Sequence, residues 1–355
     1  MPMSAEYPWT KSPLIASAPM TKVAMPKLAV AVSKAGGLGF IAAGYSSDNL
    51  EDLLEEAEKL LLQESMPEMK MKTETETEGP KLLPIGVGFI TWSASLEKAL
   101  ASFSRYCPAA FWLFAPARGF KDLIPWAEQI RKVTVDRTRI WVQVGCVAHA
   151  VEAVGAIDPD VIVVQGIDAG GHARAQGASI ISLLPEISDK LRELRPASAK
   201  QVGLVAAGGI SDSRGVLAAM ALGAQGCVLG TRFLASCECV VADGYQKAIL
   251  DASDGGMSTV RTTIYDKPHG YDGRGLINKT YVDHMAGLSE IENGKLYRDE
   301  LDRGDGGYGT DGRLTTYAGT GVGLIKKVTP AGDIVKSLHE EVSATLYGGG
   351  NLSRL

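Results

Sequence analysis

The feature that most constrains the fold of this chain is an alternation, repeated eight times, of a short apolar run with a helical pattern. The apolar runs cover residues 13–20, 38–44, 82–90, 109–116, 139–145, 161–167, 203–210 and 226–234. They are continuous, which is typical of parallel strands buried on both faces of a sheet. Eight such strands, each followed by a helix, predict an α/β fold of the closed (β/α)8 type, a TIM barrel.

Signals at the helix ends support this pattern. Pro26 stands near the start of the first helical segment and Gly36-Gly37 follow it, which is the usual placement of these residues. The main alternative is an open, doubly wound sheet. The count of eight and the lack of a GxGxxG motif between the first strand and its helix weigh against that alternative. A length of 355 residues suggests two domains, but a barrel accommodates most of such a chain in one.

Two stretches interrupt the repeat. Residues 64–80 are polar and alternate threonine with glutamate, which predicts a mobile surface loop. Residues 255–314 are rich in glycine and charge around a helical middle, and we expect them to form a lid-like excursion. The predicted organisation is therefore a barrel made of residues 1–254 and 315–355, carrying the excursion 255–314 and the mobile loop 64–80.

Composition argues against several classes of function. The net charge of −5 indicates no surface for nucleic acid or an anionic membrane, and no apolar run is long enough to span a bilayer. Residues 1–14 lack the apolar centre of a secretory signal. The five cysteines include no CxxC pair or Cys/His cluster, so we expect free thiols and no structural metal. GTGVG at 319–323 is a weak dinucleotide signal, because it does not open a predicted βαβ unit.

Glycine turns follow the last two predicted strands, at Ala207-Gly208-Gly209 and at Gly230-Thr231. In a barrel of this type the loops after the strands carry the ligand site. Glycines let main-chain N–H groups converge on an anion, and the start of the following helix adds a favourable dipole. Either turn alone would be explained by tight chain reversal. Two of them on adjacent strands predict a phosphate site.

Other strand ends carry small or amide side chains that suit a flat heteroaromatic ring. These residues are Ala18, Pro19, Met20, Gly88, Gln143 and Gln165. The small residues leave room over the barrel mouth, and each glutamine can donate and accept hydrogen bonds. A glutamine considered singly more simply satisfies backbone groups at the barrel end. Together with the glycine turns, the set favours a bound ring.

His172 follows the sixth strand in the stretch QGIDAGGH. Gly170 and Gly171 let the backbone approach a ligand closely, and histidine is suited to proton transfer near neutral pH. We predict that His172 is a catalytic base, the alternative being a loop histidine bonded to a carbonyl. We expect His149 to be structural. The remaining histidines are expected to be solvated, at His269, His284 and His339.

These motifs resemble the nitronate monooxygenases, formerly called 2-nitropropane dioxygenases. The resemblance covers nearly the whole chain and is carried by PLIASAPMTKVAMPKLAVAVSKAGGLGFIAAG, QGIDAGGHARAQGASIISLLPEI, VAAGGISDSRGVLAAMALGAQGCVLGTRFLAS and TTYAGTGVGLIKKV. It implies a barrel with one non-covalent FMN and His172 as the base. The FMN contacts that it implies are at Ala18, Pro19, Met20, Gly88, Gln143, Gln165, Gly170, Gly171, Ala207, Gly208, Gly209, Gly230 and Thr231.

The same resemblance implies that nitronates and nitroalkanes are oxidised by O2 to carbonyl compounds and nitrite. The chain departs from the family pattern at Gly88, where several members have asparagine, and at Gln143, where some have a basic residue. These departures leave the flavin contacts there, and the substrate, open. Three alternatives stand beside this function: an enoyl-thioester reductase using NAD(P)H, a non-catalytic flavin-binding barrel and a tailoring oxidase. The helices after the eighth strand are candidates for pairing protomers.

The sequence ends in Ser353-Arg354-Leu355, which resembles a peroxisomal import signal of the SKL type. We predict recognition by the import receptor and a peroxisomal rather than a cytosolic location. A fluorescent protein fused ahead of the whole chain should therefore coincide with a peroxisomal marker. The same fusion without the last three residues should be diffuse. A diffuse signal from the full-length fusion would contradict the prediction.

Overall fold

The computed structural model describes residues 3–63, 81–194, 201–264 and 270–347. The strands are β1 (Leu14–Ser17), β2 (Phe40–Gly44), β3 (Lys81–Ile90), β4 (Tyr106–Phe114), β5 (Arg139–Val144), β6 (Val161–Gln165), β7 (Gly171–Arg174), β8 (Gly203–Ala207), β9 (Gly226–Leu229), β10 (Thr259–Thr262) and β11 (Tyr271–Leu276). The helices are α1 (Met3–Glu6), α2 (Pro26–Lys34), α3 (Leu50–Gln63), α4 (Leu96–Phe103), α5 (Ile124–Thr134), α6 (Val147–Ile157), α7 (Ile180–Leu194), α8 (Ser213–Ala221), α9 (Thr231–Leu234), α10 (Asp243–Asp251), α11 (Gly255–Ser258), α12 (Lys279–Met285), α13 (Glu290–Leu301) and α14 (Ala331–Tyr347).

Eight of the strands form one parallel sheet in the order β1-β9-β8-β6-β5-β4-β3-β2. Its two edges meet, because an isolated parallel bridge joins Ala16 to Leu38. The Ser17 N–H donates to the Leu38 carbonyl (3.2 Å), and the Leu38 N–H donates to the Ile15 carbonyl (2.9 Å). Each of the eight strands overlaps one of the predicted apolar runs. The barrel class expected from the sequence is therefore confirmed.

Buried side chains on the two faces of the sheet form two apolar clusters. The outer cluster lies between the strands and the helices, and α14 closes it by packing against α2 and α8. The inner cluster fills the barrel with aromatic and branched side chains, among them Phe40, Trp112 and Trp141. A strand buried on both faces needs apolar residues at successive positions, which explains the continuous runs in the sequence.

The segment before β1 closes the end of the barrel where the strands begin. Glu6 pairs with Arg139, the first residue of β5, at 2.5 Å. The Trp141 indole N–H donates to the Tyr7 hydroxyl at 2.7 Å, and both side chains are fully buried. The Trp141 ring also stacks with Trp112, with centroids 5.9 Å apart. Burial raises the pKa of Tyr7, so its hydroxyl stays protonated in the barrel interior.

A second, antiparallel sheet stands beside the barrel, in the order β10-β11-β7. The sequence patterns predict the helical middle of the excursion, where α12 and α13 lie, but none of these three strands. The division of the chain at 254 and 314 stays a prediction. The predicted loop 64–80 and the terminal tripeptide fall outside the described residues. None of the helices in the described ranges is both long and apolar enough to cross a membrane.

The expectation that His339 is solvated is wrong. Its side chain is buried in α14, and its Nε2 lies 3.0 Å from the Pro13 carbonyl oxygen just before β1. Burial lowers the pKa of His339, so the neutral ring that donates to this carbonyl is favoured. His284 is half-buried on α12, and His269 lies outside the described residues.

Tyr7→Phe removes the acceptor of the buried Trp141 N–H without changing the ring that fills the barrel. A buried donor left unsatisfied costs about 1–3 kcal/mol, so the free energy of unfolding should fall by about that amount. Denaturant unfolding of the purified protein measures it. The control is Tyr347→Phe at a highly exposed position, where a change below about 0.5 kcal/mol is expected. Equal stability of Tyr7→Phe and wild type would contradict the role of this bond.

Candidate active site

A cavity of about 400 Å³ opens where the carboxyl ends of the barrel strands meet. All the residues predicted to contact a ring or a phosphate line it, and so does His172. They are Ala18, Pro19, Met20, Gly88, Gln143, Gln165, Gly170, Gly171, His172, Ala207, Gly208, Gly209, Gly230 and Thr231. The fold thus brings the predicted residues together around one space. Their individual roles stay predictions.

Three glycines at the cavity have backbone conformations that other residues rarely adopt. Gly208 and Gly209 have φ of +105° and +75°, directly after β8, and Gly171 has φ of +69° at the start of β7. A Cβ at Gly171 would meet no atom within 4 Å, so its α-carbon faces open space. These positions therefore require glycine for the path of the chain.

The α-carbon of Gly170, unlike that of Gly171, faces other protein atoms. A Cβ there would lie 2.6 Å from the Ala318 carbonyl carbon and from the Gly319 nitrogen. The Thr320 N–H donates to the Asp168 carbonyl at 3.0 Å, which ties the segment after Ala318 to the turn that precedes His172. Close approach at Gly170 is thus explained by chain packing.

The segment that contains GTGVG forms a short 3-10 helix over Thr320–Leu324 rather than a nucleotide loop after a strand. The Gly319 N–H donates to the Thr231 hydroxyl at 3.0 Å, so the segment is attached to the turn after β9. Gly319 and Gly321 also line the cavity. The GTGVG segment therefore forms part of the cavity wall.

Both predicted glutamines take part in side-chain hydrogen bonds at the cavity. Gln143 accepts from the Trp112 indole N–H at 3.1 Å through Oε1, which assigns its amide nitrogen as the donor available to a ligand. Gln165 donates through Nε2 to the His172 carbonyl at 3.3 Å. This second bond links β6 to the strand that carries the predicted base.

His172 lies on β7, opposite Gly273 of β11. Its ring is tilted against Tyr317, with centroids 5.5 Å apart. Tyr317 lines the cavity as well and is not indicated by any spacing in the sequence. Further towards the excursion, the Phe114 ring contacts Tyr271 at 5.1 Å between centroids. The predicted base is thus bordered by the ring of Tyr317, a residue from a distant segment of the chain.

His149 lies on α6 and is held by protein contacts, as expected for a structural residue. Its Nε2 lies 3.0 Å from Nη1 of Arg174, so the ring accepts from the guanidinium. Burial and the charge of Arg174 lower the pKa of His149. The imidazole is therefore neutral at physiological pH and serves as an anchor for Arg174.

The cavity favours an anion. Among the described residues that line it there is no carboxylate, whereas Lys22 brings an ammonium group. Lys22 has φ of +64°, a conformation that is costly for a residue with a side chain. In the described ranges, no group of three His, Cys, Asp or Glu side chains is placed to bind a metal ion.

The residues present fit FMN. The cavity volume is within the range of about 300–1,000 Å³ that is usual for ligand sites. The glycine turns after β8 and β9 suit the phosphate, and the amides of Gln143 and Gln165 suit the edge of the ring. An absence of carboxylates from the described lining avoids repulsion of the phosphate.

A family model and a similar protein of known name indicate the same family for this chain. The family model described as nitronate monooxygenase matches residues 7–63 and 127–341. The nitronate monooxygenase npaC of Metarhizium robertsii is 43% identical over 353 residues, covering 97% of this chain and 95% of that protein.

Two solved structures show the same fold. Nitroalkane oxidase from Streptomyces ansochromogenes aligns with a TM-score of 0.72 at 22% identity, covering 99% of this chain and 100% of that one. The enoyl reductase domain of MlnA from Bacillus amyloliquefaciens aligns with a TM-score of 0.70 at 14% identity, covering 99% and 98%. At these identities the likeness extends to the fold alone.

Gly88→Ala tests whether the wall of the cavity is as tightly packed as the geometry indicates. The new Cβ would lie 2.3 Å from the Cβ of Pro19, which is rigid, so the chain after β1 must shift. Overpacking of this kind costs about 1–3 kcal/mol, and denaturant unfolding should show a loss of that size. Gly230→Ala is the control, because its Cβ would meet Ala18 at an ordinary 3.6 Å. Equal stability of the two variants would contradict the prediction.

Proposed function

The chain belongs to the nitronate monooxygenase family, and from this membership we propose that it is an FMN-dependent enzyme that oxidises nitronates and nitroalkanes with O2. The products are a carbonyl compound and nitrite. The observation that carries the proposal is that residues from seven separate strand ends and loops line one anion-favouring cavity with His172. These are the residues that the resemblance assigns to FMN and to the base.

In this proposal the cofactor is held by main-chain groups at one end of the cavity and by amides at the other. The turns at Gly208-Gly209 and Gly230-Thr231 bind the phosphate through N–H groups, and Gln143 donates to the ring. When bound there, FMN would supply the redox chemistry, as the acceptor of an electron or hydride equivalent from the substrate before the reaction with O2. The protein supplies the binding geometry, the base and an enclosed pocket.

His172 acts on the substrate. Its imidazole removes the α-proton of a neutral nitroalkane, or binds a nitronate that has already lost that proton. The hydrogen bond from Gln165 to the His172 carbonyl and the packing against Tyr317 restrict where the ring can stand. A fixed base is needed because proton transfer requires hydrogen-bond contact with the reacting carbon's proton.

The remaining cavity walls exclude water and receive the carbon chain of the substrate. They include Tyr45, Ile90 and Phe114 on the side of the excursion. An apolar wall beside a positive group suits a nitronate, whose negative charge is confined to one end of the molecule. Lys22 at the cavity mouth adds attraction for such an anion.

The principal alternative is reduction of an enoyl thioester with NAD(P)H. The two reactions differ in the compound that reduces the flavin, so anaerobic mixing distinguishes them. The purified protein is expected to be yellow and to bleach with nitronates and nitroalkanes, and O2 should restore the colour with release of nitrite. Bleaching by NAD(P)H but not by nitronates would replace the proposal with the reductase. A colourless protein that does not bind added FMN would contradict both.

His172→Asn should keep FMN bound but lower the turnover of a neutral nitroalkane by about 100-fold or more, since a positioned base contributes roughly 10²–10⁴ in rate. Turnover of a preformed nitronate should fall much less, because that substrate needs no proton removal. Steady-state nitrite release with the two forms of one compound measures the ratio. The control is His284→Asn on α12, for which neither rate should change. Equal losses with both substrate forms would remove the role of His172 as base.

A further inference from the structure

Arg261 on β10 is devoted to main-chain carbonyls around the turn that precedes His172. Its Nη2 donates to the carbonyls of Ile167 (3.2 Å) and Ala169 (2.7 Å). Its Nη1 donates to the carbonyls of Gly171 (3.3 Å) and Asp272 (2.7 Å). One guanidinium thus contacts three alternate carbonyls of a single turn and the strand β11 beside it.

Two further carbonyls of this segment, those of Asp168 and His172, are bound from other elements. The Asp168 carbonyl accepts from the Thr320 N–H at 3.0 Å, and the His172 carbonyl accepts from Gln165 at 3.3 Å. The carbonyls of the turn are therefore divided between Arg261 and two other segments. Such a turn can move only if several hydrogen bonds break together.

This arrangement resolves a conflict built into the sequence of the turn. Ala169-Gly170-Gly171 gives the chain the small size that the contact with Ala318 and Gly319 requires. Glycines also give the unfolded or loosened turn many conformations, so ordering it is unfavourable. A base that follows directly after two glycines stays in place only if the backbone before it is held by other groups.

The guanidinium keeps its charge in this position. Burial, together with the neighbouring Arg274, lowers the pKa of Arg261 to about 10, which leaves it protonated at neutral pH. Hydrogen bonds from a charged donor are about twice as strong as neutral ones. The planar group also presents its donors in a fixed geometry, which lysine cannot reproduce.

We infer that Arg261 is a positioning residue for the proposed base: it holds residues 167–171 in the conformation that sets His172 against the cavity. The inference rests on the proposed function for its kinetic consequence. Its structural part, the ordering of the turn by Arg261, is independent of any activity.

Arg261→Met and Arg261→Lys separate loss of the charge from loss of the fork geometry. Arg274→Met is the matched control, because Arg274 pairs with Arg261 in register on β11 and donates through Nη1 to the side chain of Thr259. It removes the same charge from the same sheet without touching the carbonyls of the turn. Thermal unfolding of all three variants checks that they remain folded.

Hydrogen exchange of the segment 165–174, followed by mass spectrometry on the protein as purified, is the first measurement. Arg261→Met should raise exchange there by about 10-fold or more, since the turn opens when its charged donor is lost. Arg261→Lys should lie between this variant and wild type, and Arg274→Met should stay within about 3-fold of wild type. Unchanged exchange in Arg261→Met, or an equal rise in Arg274→Met, would overturn the inference whether or not the protein is active.

Kinetics are the second measurement. Arg261→Met should lower kcat for a neutral nitroalkane by about 30–100-fold, because a base misplaced by about 1 Å loses rate on that scale. The KM for the preformed nitronate should change by less than about 3-fold, because a substrate that has already lost its proton does not need a precisely positioned base. If Arg261→Met shows faster hydrogen exchange but turns over the nitroalkane at the wild-type rate, Arg261 has no positioning role. A wild-type protein that neither binds FMN nor releases nitrite would instead contradict the proposed function.

Discussion

Closure of the parallel sheet between β1 and β2 is the contact on which the candidate site depends. The bridge between Ala16 and Leu38 brings the chain after β1 beside the ends of the other strands, so residues 18–20 share a cavity with β3 on one side and β9 on the other. The α-carbon of Gly88 in β3 lies against the ring of Pro19, so any side chain at position 88 would clash. An open sheet with the same strands would leave these residues at opposite edges. Barrel closure is therefore a requirement of the site as well as of the core.

The glycines at the cavity serve two different physical needs. Gly208, Gly209 and Gly171 adopt backbone conformations that exclude most side chains, and Gly171 faces open space. Gly170 and Gly88 are needed because neighbouring protein atoms occupy the place of a Cβ. At Gly88 that place is taken by Pro19. A glycine next to a ligand site is thus not evidence by itself that the ligand lies against it.

The eight barrel strands and the cavity-lining strand ends were predictable because both follow from local patterns: continuous apolar runs, then glycine or amide residues. The strands β7, β10 and β11 were not, since segments such as GHAR and YDGRGL are short, polar and glycine-containing, and become strands only by pairing with one another. Arg261 and Tyr317 reach the turn at residues 167–172 from far along the chain. Contacts between segments so far apart in the chain cannot be predicted from the spacing of residues in the sequence. His339 was misjudged because burial of a polar side chain on an amphipathic helix depends on a partner outside that helix, here the Pro13 carbonyl.

The proposed base and most of the proposed cofactor contacts belong to different sheets of the molecule. His172 is part of the three-stranded antiparallel sheet, whereas the glycine turns after β8 and β9 end strands of the barrel. Substitutions in β10 or β11 should therefore act first on the strand that carries the imidazole. The orientation of His172 is thus set by a different sheet from the one whose strand ends form most of the proposed cofactor seat.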